Sequence, residues 1–296
     1  MISRRSVLKS ALAPAALGFG ATPPEDPTAF VNVFLGTGGH GHAFPGATVP
    51  FGMAQLSPDT YNVGWDRCSG YHISDGSIMG FSHTHLSGTG IGDMLDLLVM
   101  PGTGPIRIVP GSLERPEEGY RSRFSHDEEH AEPGYYSVFL KDYKIKAELT
   151  ATERAGIHQY TFPQADDGHF MVDLAHAVLG REGAPPRVLS SDMKVTGGDT
   201  ITGGRRAAIW ARGRRIYFAL KFSRPFLAAQ LYSDDKPLAG PVQDAGARAG
   251  PARPHVPERA GRPCGQRRLR PDVGVVRDQR PGFLRRGPGE RQLRFR

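Results

Sequence analysis

Short runs of alternating apolar and polar residues, separated by turn residues, constrain the fold of this chain more than any other feature. Residues 144–151 read KIKAELTA and residues 215–222 read RIYFALKF. Both follow the period of two that is typical of a half-buried strand. Beyond residue 21, no segment of twelve or more residues has a convincing 3.6-residue apolar period. The pattern predicts an all-β protein with an antiparallel β-sandwich over residues 30–240.

About a dozen candidate strands lie close together along the chain, with turn residues between them. They are residues 30–35, 53–56, 78–82, 95–100, 135–140, 144–152, 156–162, 170–174, 193–195, 200–202, 207–211 and 215–222. This number is large for a simple immunoglobulin-like domain. We therefore expect a large, supersandwich-like arrangement.

The composition changes abruptly near residue 241. The last 56 residues contain 14 Arg, 8 Pro and 8 Gly, and no Lys, Ser, Thr, Asn, Ile, Met, Tyr or Trp. Such a segment cannot bury enough apolar surface to offset its chain entropy, so we predict a disordered Arg/Pro/Gly-rich tail over 241–296. The segment is either a genuine basic tail that contacts anionic partners or the translation product of GC-rich coding DNA read out of frame. Because the excess positive charge lies in this tail, the body does not indicate a nucleic-acid partner.

The N-terminus has the features of an export signal. Arg4, Arg5 and Lys9 precede an alanine-rich apolar run over residues 11–21. The paired arginines resemble a twin-arginine signal, with a general secretory signal as the alternative. We predict a signal peptide at 1–21, a linker at 22–29 and a periplasmic or secreted location. No later apolar run is long enough to predict a membrane span.

Glycines, histidines and single aromatics are concentrated between Gly36 and Asp96. Residues 36–41, GTGGHG, match the letters of a dinucleotide-binding fingerprint. That fingerprint needs a following helix, which Pro45 and Pro50 disfavour. We interpret the glycines as loops that face a ligand or another loop.

Two H-x-H pairs lie in this stretch, His40 with His42 and His83 with His85. On a strand, each pair would share one face and could bind a metal ion. No clear carboxylate partner accompanies them. Structural hydrogen bonding, contact with sugar hydroxyls and metal binding all stay open.

Gly64-Trp65-Asp66 places an indole beside a carboxylate. An aromatic face stacks on the C–H face of a pyranose, and a carboxylate accepts hydrogen bonds from two neighbouring hydroxyls. The pair is therefore typical of a carbohydrate site, with a core tryptophan beside a turn aspartate as the alternative. Asp93, after the glycine loop 88–92, either holds that loop through its amides or faces the pocket.

Two other features have simpler interpretations. The acidic residues 127–132 predict a solvated loop, since glycosidase carboxylates need a separation that a sequence does not give. Cys68 is either a small buried packing residue or a residue of the pocket. With Cys264 in the tail, we expect no structural disulfide.

Three long runs resemble the N-terminal domain of glycoside hydrolase family 92. They read VNVFLGTGGHGHAFPGATVPFGMAQLSPDT, GWDRCSGYH and GFSHTHLSGTGIGD, in this order. The resemblance covers residues 30–236. It implies a secreted, exo-acting α-mannosidase that inverts the anomeric centre and uses calcium. It also implies an active site between the β-sandwich and a C-terminal (α/α)₆ barrel that carries the acid and base.

The same resemblance implies which residues lie on the sugar-facing loops of the sandwich. Carried over position by position, the substrate-binding residues are Gly39, His40, Phe44, Trp65, Asp66, His83, His85 and Thr89. The barrel is absent from this sequence, and so are the catalytic carboxylates and most of the calcium site.

We therefore expect a truncated carbohydrate-binding domain of such a mannosidase, with mannose-containing glycans as partners. We expect it to have no hydrolase activity alone and to bind no calcium itself. The alternatives are a stand-alone carbohydrate-binding module and a metal-dependent hydrolase built on the two H-x-H pairs.

Overall fold

The computed structural model describes residues 26–180, 187–208, 210–233 and 235–238, together with the backbone of strands 273–277 and 291–294. The predicted signal peptide, Cys264 and most of the predicted tail lie outside the described residues. The chain divides into two compact units, Met1–Val31 and Asn32–Arg296. The described part of the first unit contains a 3₁₀ helix, Pro27–Phe30, which Asp26 caps through the Thr28 amide.

Nearly all regular structure in the described part of the second unit is β. The strands are β1 (Ser57–Asp59), β2 (Ser77–Ile78), β3 (Gly80–Ser82), β4 (Leu98–Gly102), β5 (Ser122–Arg123), β6 (Glu129–Glu132), β7 (Tyr135–Leu140), β8 (Ile145–Ala151), β9 (Gly156–Phe162), β10 (His169–Asp173), β11 (Val188–Thr196), β12 (Thr200–Ala207), β13 (Arg214–Lys221), β14 (Ala228–Ser233), β15 (Lys236–Pro237), β16 (Val273–Arg277) and β17 (Arg291–Arg294). Three further 3₁₀ helices are Trp65–Arg67, Pro116–Glu118 and His126–Glu128. The predicted all-β class is confirmed.

The strands form four antiparallel sheets. The largest has the order β1-β3-β4-β10-β16-β14-β15, and a five-stranded sheet has the order β17-β9-β8-β7-β6. Strands β11-β12-β13 form a third sheet, and β2 pairs with β5. Consecutive strands are neighbours in the hairpins β6 to β9 and β11 to β13, as expected where short turns connect them.

Aromatic side chains join the faces of these sheets into one core. The Tyr160 ring, from the five-stranded sheet, lies 6.1 Å from Phe81 and 5.6 Å from Phe170, both in the largest sheet. Phe222, which follows β13, lies 5.5 Å from Phe170. Burial in β8 alternates along Ile145–Ala151, with its apolar side chains in the core. This face-to-face packing is that of a β-sandwich.

The strand predictions succeed where alternation is strong. Residues 135–140 and 156–162 coincide with β7 and β9. The predicted strand at 30–35 is wrong, because the Asn32 side chain accepts the Phe34 amide at 3.0 Å and the chain turns there. The prediction at 207–211 is also wrong, since β12 ends at Ala207.

Two strands lie within the segment predicted to be a disordered tail. β16 pairs with β10 on one side and β14 on the other, and β17 pairs with β9. The valines of the sequence VGVVR in β16 favour extended structure. Over the described residues, no helix is both long and apolar enough to cross a membrane.

Candidate functional site

The structure brings several of the predicted residues together at an open surface. We call the set Gly39, His40, His42, Trp65, Asp66 and His72 the Trp65 cluster. His40 is 72% exposed in its side chain and Trp65 is 55% exposed. The His40 and His42 rings lie 4.9 and 4.4 Å from the indole.

Local backbone geometry presents the indole at this surface. Gly64 has a φ of 91°, in the left-handed region that favours glycine, and the 3₁₀ helix Trp65–Arg67 follows it. The Cys68 thiol contacts the Trp65 carbonyl oxygen at 2.8 Å. Cys68 is buried, which agrees with the packing interpretation of that residue.

The glycine loop 88–92 lies against the indole. A Cβ atom on Gly90 would come within 2.4 Å of Trp65 Nε1. The backbone can therefore approach the ring only because residue 90 has no side chain. Thr89 forms a hydrogen bond within the loop, because its hydroxyl donates to the Ile91 carbonyl oxygen at 2.9 Å.

A carboxylate and an imidazole pair beside the indole. His40 Nδ1 lies 2.5 Å from Asp66 Oδ1. This hydrogen bond lowers the pKa of Asp66 from its ordinary value, so the carboxyl is ionised at neutral pH. An ionised carboxylate is an acceptor only, which suits ligand hydroxyl donors.

His42 and His72 complete the cluster. His42 is buried, has a φ of 53° and presents its ring edge to Trp65. Its Nε2 atom is buried and has no hydrogen-bond partner in the described part of the chain. His72 Nε2 lies 3.3 Å from the Gly39 carbonyl oxygen.

His85 belongs to a second, buried group around Asp59. His85 Nε2 lies 2.9 Å from Asp59 Oδ1, and His176 Nε2 lies 2.8 Å from Asp59 Oδ2. Burial raises the pKa of Asp59, but the two imidazoles outweigh it and hold the pKa at about 2. His85 Nδ1 also faces an acceptor, the Gln55 carbonyl oxygen at 2.8 Å. The Ser82 hydroxyl also lies 3.1 Å from His85 Nε2, so both ring nitrogens of His85 have hydrogen-bond partners.

Half-buried His83 belongs to a hydrogen-bond chain with the buried residues His158 and Tyr160. His83 Nδ1 lies 2.6 Å from the Leu97 carbonyl oxygen, so Nδ1 carries the proton and Nε2 accepts. His158 Nε2, at 3.0 Å, then donates to His83, and its Nδ1 accepts from the Tyr160 hydroxyl at 2.7 Å. Burial lowers the pKa of His83 to about 4, which keeps this chain neutral.

The predicted site residues therefore separate into an open and a buried set. Gly39, His40, Trp65 and Asp66 meet at the surface, with Thr89 in the loop behind the indole. His85 is buried beside Asp59, His83 is half-buried beside buried His158, and Phe44 packs on His85 at 4.8 Å between rings. The described residues hold no group of three or more His, Cys, Asp or Glu side chains placed to bind a metal ion.

Asp93 anchors the chain after the glycine loop to another segment, whereas its two predicted roles were to hold the loop through the loop's own amides or to face the pocket. Its Oδ2 accepts the amides of Trp210 and Ala211 at 3.1 and 3.0 Å, and Arg214 pairs with its Oδ1. The neighbouring Asp96 pairs with Arg205 at 2.6 Å and with Arg214. These ion pairs tie the loop that follows the glycines to the third sheet.

The acidic segment 127–132 is not wholly solvated, contrary to expectation. The Glu129 side chain is buried and accepts the hydroxyls of Tyr71 and Tyr136 at 3.0 and 2.7 Å. Sequence reasoning also omitted His42, His72 and Gly90 from the site. Only the H-x-H spacing and the glycine loop indicated their region in advance.

Comparison with known families matches most of the chain. The Glycosyl hydrolase family 92 N-terminal domain matches residues 30–254. Among curated proteins, the "Uncharacterized secreted glycosidase" of Arthroderma benhamiae is 32% identical over 143 residues, which is 45% of this chain and 17% of that protein.

Solved structures with the same fold are much longer than this chain. A family GH92 alpha-mannosidase from Bacteroides thetaiotaomicron, solved with mannoimidazole, has a TM-score of 0.72 at 34% identity, covering 92% of this chain and 32% of that chain. The gh92 family glycosyl hydrolase ccman5 has a TM-score of 0.66 at 26% identity, covering 91% of this chain and 32% of that one. The chain thus spans about a third of the length of these structures.

Proposed function

The chain belongs to glycoside hydrolase family 92 through its N-terminal domain, and we propose that its Trp65 cluster is the sugar-facing wall of an exo-acting α-mannosidase site. The observation that carries this proposal is the exposed indole of Trp65 beside the Asp66 carboxylate and the His40 ring. One similar structure, at 34% identity, is an alpha-mannosidase in complex with mannoimidazole. Mannose-containing glycans are accordingly the proposed ligands.

The chemistry of the cluster suits a pyranose. The indole offers a flat apolar face for the sugar C–H groups. Asp66 accepts hydrogen bonds from hydroxyls, and His40 and His72 extend the polar rim. His85 is buried against Asp59 and half-buried His83 bonds to the Leu97 carbonyl oxygen, so in this proposal both support the wall instead of binding the sugar.

Catalysis, in this proposal, needs groups outside this chain. An inverting glycosidase uses an acid that protonates the leaving oxygen and a base that activates water on the opposite face. The acid and base would come from the remaining length of the family enzyme. The chain alone would bind a mannoside without cleaving it.

Calcium use also stays a proposal for the larger family enzyme. Calcium takes six to eight oxygen ligands, mostly from carboxylates and carbonyls. Over the described residues, no cluster of three or more candidate side chains fits such an ion. Export is likewise proposed, on the paired arginines at positions 4 and 5 and on a relative described as secreted.

Ligand-observed NMR with methyl α-mannoside and the full chain tests the binding role. One wall of a site should bind weakly, with a Kd of about 1 mM or above, equivalent to about 4 kcal/mol or less. Trp65→Ala should abolish saturation transfer to the sugar. Tyr217→Ala, another exposed aromatic, should leave it unchanged. No transfer with the wild-type chain, or equal transfer with Trp65→Ala, would contradict the proposal.

Two further results separate the alternatives. A stand-alone binding module would bind tightly enough to give clear heat in calorimetry, whereas a single wall would not. Release of mannose from an aryl α-mannoside by the purified chain would show that catalysis needs no other part of the enzyme.

A further inference from the structure

The loop that joins β12 to β13 presents a tryptophan to solvent. Trp210 is 58% exposed. Its backbone amide and that of Ala211 both donate to Asp93 Oδ2, at 3.1 and 3.0 Å, and Asp93 is buried. The carboxylate therefore fixes the backbone of this loop while the indole stays outside the core.

A β-bulge adds a second exposed apolar side chain at the same end of the third sheet. The pairing of β11 with β12 shifts register between Val188 and Ser190. The residue within the shift, Leu189, is 45% exposed, as expected where a bulge redirects a side chain. Val188 pairs with Ala207, the last residue of β12 before the loop. Leu189 and Trp210 therefore lie at one end of the sheet.

Alternation along β12 and β13 divides the arginines at this end into two sets. Arg205 and Arg214 point inward, and both pair with Asp96. Their chain neighbours Arg206 and Arg215 lie on the opposite face, because side chains alternate along a strand, and both are exposed. Neither of these two has an ion pair within the part of the chain that the structure describes.

The outward arginines lie opposite each other. Arg206 pairs in register with Arg215, and like charges in this position are unfavourable. A Cβ atom on Gly213 would lie 3.4 Å from Arg206 Nη2, so this guanidinium extends towards the loop. Arg187 and Arg212 are also exposed at this end. We call Arg187, Leu189, Arg206, Trp210, Arg212 and Arg215 the Trp210 tip.

The composition of the Trp210 tip selects a partner. Its four guanidinium groups require anionic groups, and guanidinium matches phosphate with two hydrogen bonds. The first carboxylate of β11, Asp192, lies beyond the tip, opposite Gly204. A soluble polyanion would satisfy the charges but would leave the indole and Leu189 in water. An anionic bilayer satisfies both, because tryptophan favours the headgroup level and arginine stems lie along apolar surface.

We infer that the Trp210 tip is a membrane-docking surface, which binds the phosphate headgroups of anionic phospholipids and inserts the Trp210 indole among them. Docking of this kind leaves the chain on the bilayer surface and needs no spanning helix. The inference does not depend on the role proposed for the Trp65 cluster.

Tryptophan emission tests the docking surface. The chain has two tryptophans, so Trp65→Phe leaves Trp210 as the only one. Phosphatidylglycerol vesicles added to this full-length variant should shift the Trp210 emission to shorter wavelength, and lipids brominated in their acyl chains should quench it. Phosphatidylcholine vesicles should do neither. Adding Arg206→Gln and Arg215→Gln should raise the lipid concentration at half of the shift about 30-fold.

A charge-matched pair of substitutions is the control. Arg107→Gln with Arg154→Gln removes two exposed arginines outside the tip and should leave the titration unchanged. This control also accounts for the 14 arginines of residues 241–296, which attract anionic vesicles in every variant. The tip variant should melt no lower than its parent, because it loses the repulsion between Arg206 and Arg215. Unfolding would then not explain a lost shift.

Three results would overturn the docking surface. The first is no emission shift with phosphatidylglycerol in the Trp65→Phe chain. The second is the same half-shift concentration in the tip variant and in the control variant. The third is a shift with soluble dextran sulfate as large as that with vesicles, which would assign the tip to an anionic polymer instead of a membrane.

Discussion

The Asp59–His85 pair and the Asp66–His40 pair join the same two functional groups in two different surroundings. The first lies in the interior with an N–O distance of 2.9 Å, and the second lies at the surface with 2.5 Å. A buried pair is fixed, because each partner would be an uncompensated buried group without the other. An exposed pair adds little stability and stays accessible to a ligand. Burial, more than residue type, therefore separates structural histidines from accessible ones in this domain.

Removing the carboxylate charge from each pair tests this difference most strongly. Asp59→Asn replaces the buried carboxylate that both His85 and His176 contact, and we expect a loss of about 3–5 kcal/mol in the free energy of unfolding. Asp66→Asn should leave the urea midpoint at the wild-type value while it weakens mannoside binding. Urea unfolding followed by circular dichroism measures both. Equal destabilisation by the two variants would refute the distinction.

Acidification provides the next largest effect. The pKa of His83 is about 4 in the folded chain, below its ordinary 6.5. The unfolded state therefore takes up the proton first, and stability should fall as the pH decreases from 6.5 towards 4. The loss from this residue is up to roughly 3 kcal/mol.

Two asparagine variants identify the source of that loss. His83→Asn keeps a donor for the Leu97 carbonyl and should flatten the pH dependence of the urea midpoint between pH 6.5 and 4. His40→Asn, at the exposed pair, should not flatten it. An unchanged slope in His83→Asn would show that the buried chain does not control acid stability.

The smallest stability effect is expected at the loop behind the indole. Gly90→Ala should displace the Trp65 ring, because the new Cβ would lie 2.4 Å from Nε1. Since the ring is exposed and can move, we expect a loss of under about 1 kcal/mol but about tenfold weaker mannoside binding. Trp65 fluorescence in a Trp210→Phe background reports the displacement. Gly180→Ala, where a Cβ meets no atom within 4 Å, is the control.

The sequence predicted the fold best where apolar and polar side chains alternate along the chain. Strands β7 and β9 were predicted to the residue because one face of each lies in the core. Residues 30–35 look equally β-like, but the Asn32 side chain turns the backbone there. Local hydrogen bonds of this kind compete with strand pairing and leave little trace in apolar periodicity.

The candidate site was predictable only in part. Trp65 and Asp66 are neighbours in the sequence, so a site that combines an indole with a carboxylate could be anticipated. The partner of Asp59, His176, lies 117 positions away, and the order of the strands decides that contact. The identical H-x-H spacing of His40/His42 and His83/His85 likewise gives no indication that the fold buries His42 and His85 while it leaves His40 exposed and His83 half-buried.

The position of β16 has a consequence for the time course of synthesis. Asp173 of β10 pairs with Val273 of β16, 100 positions later. At about 5–20 residues per second, a ribosome needs about 5–20 s to make the intervening chain. During that interval β10 has β4 on one side and no β16 on the other, and an unpaired strand edge can pair with another chain. Slower translation over this interval should therefore increase aggregation, even though the finished sequence is unchanged.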